Sequence, residues 1–385
     1  MNNRRISVIT GSRAEYGLLQ PLIRLISNAE DTELNLIVTG SHFSENLGST
    51  INFIREDGYL DFDEVDIPDV YQDEVNVGIS VSEGISKFTL LFKKNNPDLI
   101  LILGDRFEIL SVALAACFLK IPVAHIHGGE LTLGSFDDYI RHSITKLSQL
   151  HFASTEVYKK RIIQLGESPE RVFNYGSLGA ENILSKKLLT REALENFLGV
   201  KFKLKNILVA IHPETLDLKP EFFMPKFYDA ISLHKDIQFF FTFSNCDPGG
   251  SYINNSIVDF CSKNENCIFF KNLGTLNFHS LMSQVDAIIG NSSSSIIEAP
   301  TLQIGSLNIG TRQKGRLKAD SVIDCDWSKK SILEAITKLY SNDFQILLRN
   351  IDNPYQKPNT SKNIFDVIKN FNLENINQKI FYDLD

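Results

Sequence analysis

The stretch from Leu101 to His142 constrains the fold most, because apolar runs and a helix-length segment alternate across it. Leu99 to Leu103 is a short apolar run with the composition of a strand buried on both faces. Ile109 to Leu119 has room for about three helical turns, and Pro122 to Ile126 is a second short apolar run. A strand, a helix and a strand in this order predict two parallel strands joined by a crossover helix.

Polar residues follow both predicted strands. Asp105 and Arg106 come soon after the first strand, and His127 follows the second. In open parallel sheets, ligands bind outside the carboxyl ends of the strands. We therefore expect these three side chains to converge on one crevice, which is the predicted location of the chemistry.

The alternation of strands and helices continues along the whole chain. It restarts after Asn174 to Gly179, which we interpret as a hinge, and after the lysine-rich segment Lys186 to Lys205. A chain of 385 residues exceeds what one core normally supports. We predict an α/β protein with two Rossmann-like, doubly wound domains, residues 1–175 and 176–360, facing a cleft. A C-terminal helix within residues 361–385 is expected to pack back on the first domain.

Composition restricts the functional class. The net charge of −8 argues against a nucleic-acid partner, which would require clustered positive charge. The N-terminus passes directly into a predicted strand, and no apolar run is long enough to span a bilayer, so we expect a cytoplasmic protein without membrane association. No group of residues has the spacing of a metal site. The cysteines are odd in number and scattered, which is typical of free thiols in a reducing compartment: Cys117, Cys246, Cys261, Cys267 and Cys325.

The turn after the first predicted strand is a candidate phosphate site. Gly11 permits a tight turn, the following helix N-terminus favours an anion, and Arg13 adds a forked donor for phosphate oxygens. No complete GxGxxG motif is present, so an ordinary strand-to-helix loop is the alternative.

A second candidate phosphate site follows Gly290. The serines that include Ser292 and Ser293 offer hydroxyl and backbone N–H groups at a predicted helix start, and Glu298 is placed to accept hydrogen bonds from ribose. A serine-rich helix cap would explain the same residues. The basic, glycine-flanked loop around Arg312, after the next predicted strand, favours the phosphate site.

Several titratable residues are candidates for proton transfer. His212 ends another predicted strand and titrates near neutral pH, although a structural histidine would fit the same position. Asp105, Glu130 and Asp137 are acidic residues that could be tuned into an acid and a base. Asp137 is equally suited to cap the helix that follows it. On that helix, the spacing would also let Arg141 pair with a neighbouring aspartate.

These motifs occur together, and in order, in one protein family. The chain closely resembles the hydrolysing UDP-N-acetylglucosamine 2-epimerases from about Ile6 to Arg316. The resemblance implies two Rossmann-like domains in the GT-B arrangement, conversion of UDP-N-acetylglucosamine to N-acetylmannosamine and UDP for sialic acid synthesis, no cofactor, and a homodimer or dimer of dimers. It rests on the motifs GSRAEYG, GSH, LGDRFE, HIHGGE, FDDYIRHSITK, IHPET, GNSSSSIIEAP and NIGTRQKGR.

The resemblance also implies roles for individual residues. The family's nucleotide contacts correspond to Arg13, Arg106, Ser292, Ser293, Glu298 and Arg312. Its sugar-side and catalytic residues correspond to Glu15, His42, Asp105, His127, Asp137, His212 and Asn245. Many relatives have a carboxylate where this chain has His127, so either the histidine takes over its proton-handling role, or Glu130 does, or that carboxylate is dispensable.

Other functions fit parts of the same pattern. The same chemistry on UDP-2,4-diacetamido-2,4,6-trideoxyglucose, for a legionaminic-type acid, would differ only in the residues that line the sugar pocket. A non-hydrolysing epimerase is a mechanistic alternative, but such enzymes usually have HxEAGLR where this chain has HIHGGEL. A GT-B glycosyltransferase would need an acceptor, and a nucleotide-sugar sensor would bind UDP without turnover.

Overall fold

The computed structural model describes residues 3–43, 50–67, 74–133, 135–214, 219–244 and 249–384. The chain divides into two compact units. The first unit comprises Met1–Glu130, Asp137–Glu181 and Lys357–Asp385, and the second comprises Leu131–Phe136 and Asn182–Gln356.

The first unit is built on a parallel sheet of seven strands in the order β3-β2-β1-β4-β5-β6-β7. Its strands are β1 (Arg4–Thr10), β2 (Thr32–Thr39), β3 (Asp63–Val65), β4 (Leu99–Leu103), β5 (Val123–Ile126), β6 (Leu150–Ala153) and β7 (Val172–Asn174). Its helices are α1 (Arg13–Asn28), α2 (Ile51–Glu56), α3 (Glu74–Asn95), α4 (Phe107–Leu119), α5 (Asp137–Leu147), α6 (Glu156–Gln164) and α15 (Thr360–Asn370). The helix α7 (Leu178–Ser185) continues from the first unit into the second.

The second unit contains a parallel sheet of six strands in the order β10-β9-β8-β11-β12-β13. Its strands are β8 (Lys205–Ala210), β9 (Ile237–Thr242), β10 (Cys267–Phe270), β11 (Ala287–Gly290), β12 (Gly305–Ile309) and β13 (Val322–Cys325). Its helices are α8 (Arg191–Leu198), α9 (Pro220–Ile231), α10 (Gly250–Ser262), α11 (Gly274–Met282), α12 (Ser294–Ile297), α13 (Lys329–Leu339) and α14 (Asn342–Leu348).

Each sheet is covered by helices on both faces, which explains why the central strands are continuously apolar. Successive residues of a strand point to opposite faces. In β4, Leu101 joins one core cluster, while its neighbours Ile100 and Ile102 join another. In β8, Val209 and Leu208 are divided between two clusters in the same way. The predicted α/β class, with two parallel sheets flanked by helices, is confirmed.

The sequence interpretation missed several elements. Asn174 to Gly179 is not simply a hinge, because Asn174 ends β7 and α7 begins at Leu178. The lysine-rich segment contains α8, and β13, α13 and α14 follow the last strand that was predicted. Near the C-terminus, α15 packs on α1 of the first unit, where Ile364 and Ile368 share a core cluster with Ile23.

Two predicted properties of the chain can be compared with the described residues. Within them, no helix combines the length and apolar character needed to cross a membrane. Cys246 lies outside the described residues. The other four cysteines are free thiols, as predicted: Cys117, Cys261, Cys267 and Cys325.

Candidate active site

The predicted site residues gather where the strand order of each sheet reverses. In the first unit, β1 and β4 are neighbours, so the segments after Thr10 and Leu103 start at the same edge of the sheet. In the second unit, β8 and β11 are neighbours, and the segments after Ala210 and Gly290 start side by side. Such switch points are where doubly wound sheets bind their ligands.

The turn between β1 and α1 is fixed by its own side chains. Ser12 caps α1 by accepting a hydrogen bond from the backbone N–H of Glu15 at 3.3 Å. The Glu15 carboxylate in turn accepts from the backbone N–H of Gly11 at 2.7 Å, in a variant of the capping box. Glu15, predicted to contact the sugar, thus takes part in the turn itself, and its sugar contact stays a prediction.

Arg13 is the first residue of α1 and is suited to bind an anion. Burial lowers the pKa of its guanidinium to about 10. Its Nη1 atom is buried and has no hydrogen-bond partner among the described residues. A desolvated cation with an unused donor gains most from a charged acceptor, so this arrangement favours the predicted phosphate contact.

His42 lies just beyond β2 and is completely buried. Its Nε2 lies 3.0 Å from Thr10 Oγ1, and its Nδ1 lies 2.9 Å from Thr50 Oγ1. Burial, and to a smaller extent the charge of Arg13, lowers the pKa of His42 to about 4. The imidazole is therefore neutral at physiological pH and ties the ends of β1 and β2 together. Its contact with the sugar remains a prediction. Such a contact would require the ring to break its hydrogen bond to Thr10 or Thr50.

Asp105, at the end of β4, forms an ion pair with Arg141 of α5, and Nη2 of Arg141 donates to Oδ2 of the carboxylate. Arg141 is almost fully buried, so the pair is held in a largely desolvated place. Asp137 and Asp138 form the first turn of the same helix, where the helix dipole stabilises negative charge. His142 Nε2 lies 3.7 Å from Asp138 Oδ2. The helix α5 thus brings acidic and basic groups to the end of β4.

His127 and Glu130 lie together after β5. His127 has a φ of 64°, an unusual conformation for a residue with a side chain and one that is frequent at functional sites. Its Nδ1 is 3.8 Å from Glu130 Oε1, and its Nε2 is 3.4 Å from Ser177 Oγ. Ser154 donates to Glu130 Oε1 at 2.7 Å. A histidine beside an oriented carboxylate is a pair that can hold and transfer a proton.

Sequence reasoning missed Ser154, Ser177 and Glu108. The two serines lie far along the chain from His127, and only the pairing of strands brings Ser154 near it. Glu108 is part of the LGDRFE motif but was not assigned a role. Its Oε1 accepts a hydrogen bond from Arg106 Nε at 2.7 Å, so the predicted nucleotide contact Arg106 is held by a neighbouring carboxylate.

In the second unit, His212 is fixed to the segment after β11. Its backbone N–H donates to Asn291 Oδ1 at 2.7 Å, and Asn291 Nδ2 donates to the His212 carbonyl at 2.8 Å. The His212 ring Nδ1 lies 3.3 Å from Ser244 Oγ. Gly290 allows this close approach, since a Cβ there would lie 2.0 Å from the Ala210 carbonyl oxygen.

The serine segment continues from this point into the short helix α12. Ser292 is buried, and its Oγ accepts from the Ser294 backbone N–H at 3.4 Å, while Ser293 occupies the N-cap position. Glu298 ends the helix, and its Oε1 lies 3.6 Å from His279 Nε2. Burial works to raise the pKa of Glu298, but the His279 imidazole together with the Ser294 hydroxyl and the charge of Lys186 outweighs it, so the pKa lies below its usual value. Glu298 is therefore kept as a carboxylate, which suits an acceptor for ribose hydroxyls.

The basic loop after β12 is attached to the same segment. Arg312 Nη1 and Gln313 Nε2 both donate to the Asn291 carbonyl, at 3.2 Å and 2.8 Å. Glu214 accepts from the backbone N–H and the hydroxyl of Thr311, at 3.0 Å and 3.2 Å. Arg312 and the serines, which lie about 20 residues apart in sequence, thus form one cluster of donors. The predicted sugar contact Asn245 lies outside the described residues.

The structure contains two parallel β-sheets flanked by helices. Arginines, serines and acidic groups lie near their switch points, an arrangement suited to an enzyme that binds nucleotide sugars. Residues 24–369 match the sequence family described as UDP-N-acetylglucosamine 2-epimerase. The chain belongs to this family.

Similar proteins cover nearly the whole chain. Polysialic acid biosynthesis protein P7 of Escherichia coli is 40% identical over 384 residues, covering 99% of this chain and 98% of the relative. GDP/UDP-N,N'-diacetylbacillosamine 2-epimerase (hydrolyzing) of Campylobacter jejuni is 39% identical over 387 residues, covering 100% of both.

A solved structure shows the same fold. The structure of UDP-GlcNAc 2-epimerase from Neisseria meningitidis bound to UDP-GlcNAc is similar with a TM-score of 0.80 and 22% identity. The similarity covers 94% of this chain and 99% of that one. This similarity shows the GT-B type of fold, and the family match makes the chain a member of the UDP-sugar 2-epimerases.

Proposed function

We propose that this protein is a hydrolysing 2-epimerase that converts UDP-N-acetylglucosamine and water into N-acetylmannosamine and UDP, a first step toward sialic acids. The observation that carries the proposal is that the strand ends of the two sheets carry the groups this chemistry needs. In the first unit, His127 beside Glu130 and Asp105 paired to Arg141 are proton-handling groups. In the second unit, Arg312 and the serine segment are donors suited to a diphosphate.

The chemistry requires a base and a stabilised leaving group. A base removes the proton from C2 while the bond from C1 to the UDP oxygen breaks, which gives UDP and a 2-acetamidoglucal. Water then adds across the double bond, with its hydroxyl going to C1 and a proton to the opposite face of C2. The C2 proton is weakly acidic, so the base must be well placed and bulk water must be excluded.

The residues divide between these tasks. His127, Glu130, Asp105 and Asp137 are proposed to handle the C2 protons, and His212 to assist the leaving group. Neutralising the charge that develops on UDP requires oriented donors, for which we propose Arg13, Arg106, Arg312, Ser292 and Ser293. Glu298 is proposed to accept from the ribose hydroxyls, and Glu15, His42 and Asn245 to line the sugar.

The arrangement of His127 supports a proton-handling role over a purely structural one. Glu130 Oε1 accepts from Ser154 and lies 3.8 Å from His127 Nδ1, close enough for the carboxylate to stabilise positive charge on the ring. The other ring nitrogen, Nε2, lies 3.4 Å from the Ser177 hydroxyl. The carboxylate that many relatives place at this position is thereby replaced by a histidine with a supporting carboxylate.

A second substrate is favoured by one relative. The Campylobacter jejuni protein, 39% identical to this chain, is named for a diacetylbacillosamine substrate. The same elimination and hydration would apply to UDP-2,4-diacetamido-2,4,6-trideoxyglucose, since C1 and C2 are unchanged.

Parallel incubation of the purified protein with each UDP-sugar, followed by mass spectrometry of the released sugars, separates these possibilities. We expect free N-acetylmannosamine and UDP in equal amounts from UDP-N-acetylglucosamine. Turnover of the diacetamido sugar alone would assign the second substrate, and UDP-linked N-acetylmannosamine would assign the non-hydrolysing reaction.

A further inference from the structure

His125 is a buried histidine of the HIHGGE motif to which the proposed reaction assigns no role. It lies in β5 and has no exposed surface, so any influence it has on the reaction passes through its neighbours. An apolar side chain would fill such a place in a parallel sheet without the cost of burying a polar ring. The contacts of this ring therefore call for an explanation.

The first contact is with the turn that leaves β4. His125 Nε2 lies 2.7 Å from the carbonyl oxygen of Gly104, the residue before Asp105. Burial lowers the pKa of His125 to about 3, so the ring is neutral at physiological pH and carries one proton. Because a carbonyl oxygen can only accept, that proton lies on Nε2. The hydrogen bond thus defines the tautomer of the ring.

Gly104 is held by β5 at both of its backbone polar groups. Its carbonyl accepts from His125, and its backbone N–H donates to the Ile126 carbonyl at 3.0 Å. Gly104 has a φ of 84°, a left-handed conformation that favours glycine. The turn that carries Asp105 is therefore fixed at the residue before the carboxylate.

The second contact of the ring is with α5. His125 Nδ1 lies 3.5 Å from Thr145 Oγ1, and the Thr145 hydroxyl donates to the Arg141 carbonyl at 3.1 Å. Arg141 is the ion-pair partner of Asp105. The ring therefore lies between the two elements that supply this ion pair.

The loop after β5 packs on the same ring. A Cβ at Gly128 would lie 3.1 Å from His125 Nδ1 and 3.1 Å from Thr145 Oγ1, so a glycine allows the loop to pass close to both. Gly128 directly follows His127, the proposed proton-handling histidine. The turn after β4, the helix α5 and the His127 loop thus meet at one buried imidazole.

We propose that His125 is a positioning residue for proton transfer, which holds Asp105 in place through the hydrogen bond from Nε2 to the Gly104 carbonyl. This inference rests on the proposed function, in which Asp105 handles the C2 protons. Without the imidazole donor, the Gly104 carbonyl loses a short buried hydrogen bond, and the turn can shift.

Such a shift should affect the rate more than the affinity for UDP. A displacement of about 1 Å in a reacting group can lower a rate about 100-fold. The proposed diphosphate contacts have other supports, because Arg106 donates to Glu108 and Arg312 belongs to the second unit. A loss of kcat with unchanged UDP binding is therefore the expected signature.

The test measures kcat and KM for the UDP-sugar that the wild type converts, and the Kd for UDP, in variants of the full-length protein. In His125→Gln, the amide nitrogen takes about the position of Nε2 and keeps the donor, so kcat should stay within about 5-fold of the wild type. His125→Met fills the space without a donor and should lower kcat about 100-fold. In both variants the Kd for UDP should change by less than about 3-fold.

A second loss variant keeps the test decisive if His125→Met folds poorly. His125→Asn retains a polar amide, but its nitrogen corresponds to Nδ1 and does not reach the Gly104 carbonyl. We expect it to lose kcat as His125→Met does, while His125→Gln rescues the rate.

His151→Met is the matched control. His151 pairs in register with His125 on the neighbouring strand β6, and it is also completely buried. Its Nε2 contacts Glu167 Oε2 at 3.0 Å. The variant should be less stable in urea denaturation, yet keep kcat within about 3-fold of the wild type.

NMR of protein labelled with ¹⁵N-histidine tests the hydrogen bond without reference to activity. The His125 signals, assigned by their loss in His125→Gln, should show a neutral ring with its proton on Nε2. A proton on Nδ1 would overturn the inference, because Nε2 could then not donate to Gly104.

The kinetic outcomes are equally distinct. The inference would be overturned if His125→Met kept kcat within about 3-fold of the wild type, or if His125→Gln lost as much as His125→Met. It would also be overturned if UDP affinity fell in parallel with kcat, since that result indicates a general structural role. If the wild type converted neither UDP-N-acetylglucosamine nor the diacetamido sugar, the proposed function would be contradicted, and this inference with it.

Discussion

Arg141 of α5 forms an ion pair with Asp105 at the end of β4, across 36 positions of sequence. The guanidinium is almost fully buried, while the carboxylate keeps some exposure. The pair therefore gives Asp105 a fixed orientation at the switch point and a compensating charge. A carboxylate held in this way can act on a substrate proton without the cost of moving into place.

Replacing Asp105 should separate catalysis from binding. We predict that Asp105→Asn and Asp137→Asn each lower kcat at least about 1,000-fold, because a proton-transfer group is lost. The Kd for UDP should change by less than about 3-fold, since neither carboxylate is proposed to contact the diphosphate. Loss of UDP binding in both variants would show that these residues build the pocket and do not handle protons.

The ion pair itself is testable through stability. Arg141→Met leaves Asp105 without this partner and should lower the free energy of unfolding by about 3 kcal/mol, as expected for a broken buried pair. The double variant Asp105→Asn, Arg141→Met should recover part of that loss in urea denaturation while remaining inactive. Additive losses in the double variant would mean that the two side chains do not interact energetically.

Arg312 should contribute to nucleotide affinity. We predict that Arg312→Ala raises the Kd for UDP about 10- to 100-fold, because a charged donor to the diphosphate is removed. Lys314→Ala is the matched control, since Lys314 is an exposed cation on the same loop. It should bind UDP nearly as the wild type does in the same calorimetric titration. Unchanged affinity in Arg312→Ala would remove this residue from the phosphate site.

His127 and Glu130 should act as a unit. Each of His127→Gln and Glu130→Gln is expected to lower kcat/KM about 100-fold or more, and the double variant should be little worse than either one. Ser148→Ala is a control for general perturbation, because Ser148 is a buried serine whose hydroxyl donates to the carbonyl of Ile144. If the loss of kcat/KM in the double variant equalled the product of the two single losses, the two residues would act independently and the pairing would be contradicted.

His42 should make stability depend on pH. Its pKa of about 4 in the folded protein lies below its usual value of 6.5, so its contribution is complete above about pH 6.5 and is lost as the pH falls toward about 4. Between about pH 7 and about pH 5, the wild type should lose about 2 kcal/mol more unfolding free energy than His42→Gln. Unfolding free energies are measured by urea denaturation at both pH values. If the wild type and His42→Gln lost the same unfolding free energy between them, His42 would not be kept neutral by folding.

The sequence predicted the sheet-forming part of the fold well. Strands buried on both faces are continuous apolar runs, so Leu99–Leu103 was predicted with its observed bounds. Shorter elements escaped detection. The helix α8 has a Thr190 cap and a left-handed Gly199 at its end, but it is only eight residues long and lies in a lysine-rich segment that was interpreted as a connection.

The site was predictable only in part, for a physical reason. Residues that end strands could be placed, because parallel strands deliver their ends to one edge of the sheet. Residues whose partners lie far away in the sequence could not be placed. Arg141 contacts Asp105, and Ser177 contacts His127, but no short sequence spacing indicates either contact. The hydrogen bond from the Thr311 backbone to Glu214 could not be predicted for the same reason, because the two residues are 97 positions apart.

Hydrolytic 2-epimerisation can be observed directly by NMR of the purified protein with UDP-N-acetylglucosamine in deuterated water, following UDP release and the C2 position of the sugar. We predict free N-acetylmannosamine with deuterium at C2, formed together with UDP, because elimination and hydration exchange that hydrogen with solvent. N-acetylmannosamine that retains its original hydrogen at C2, or a product still linked to UDP, would contradict the proposed hydrolytic mechanism.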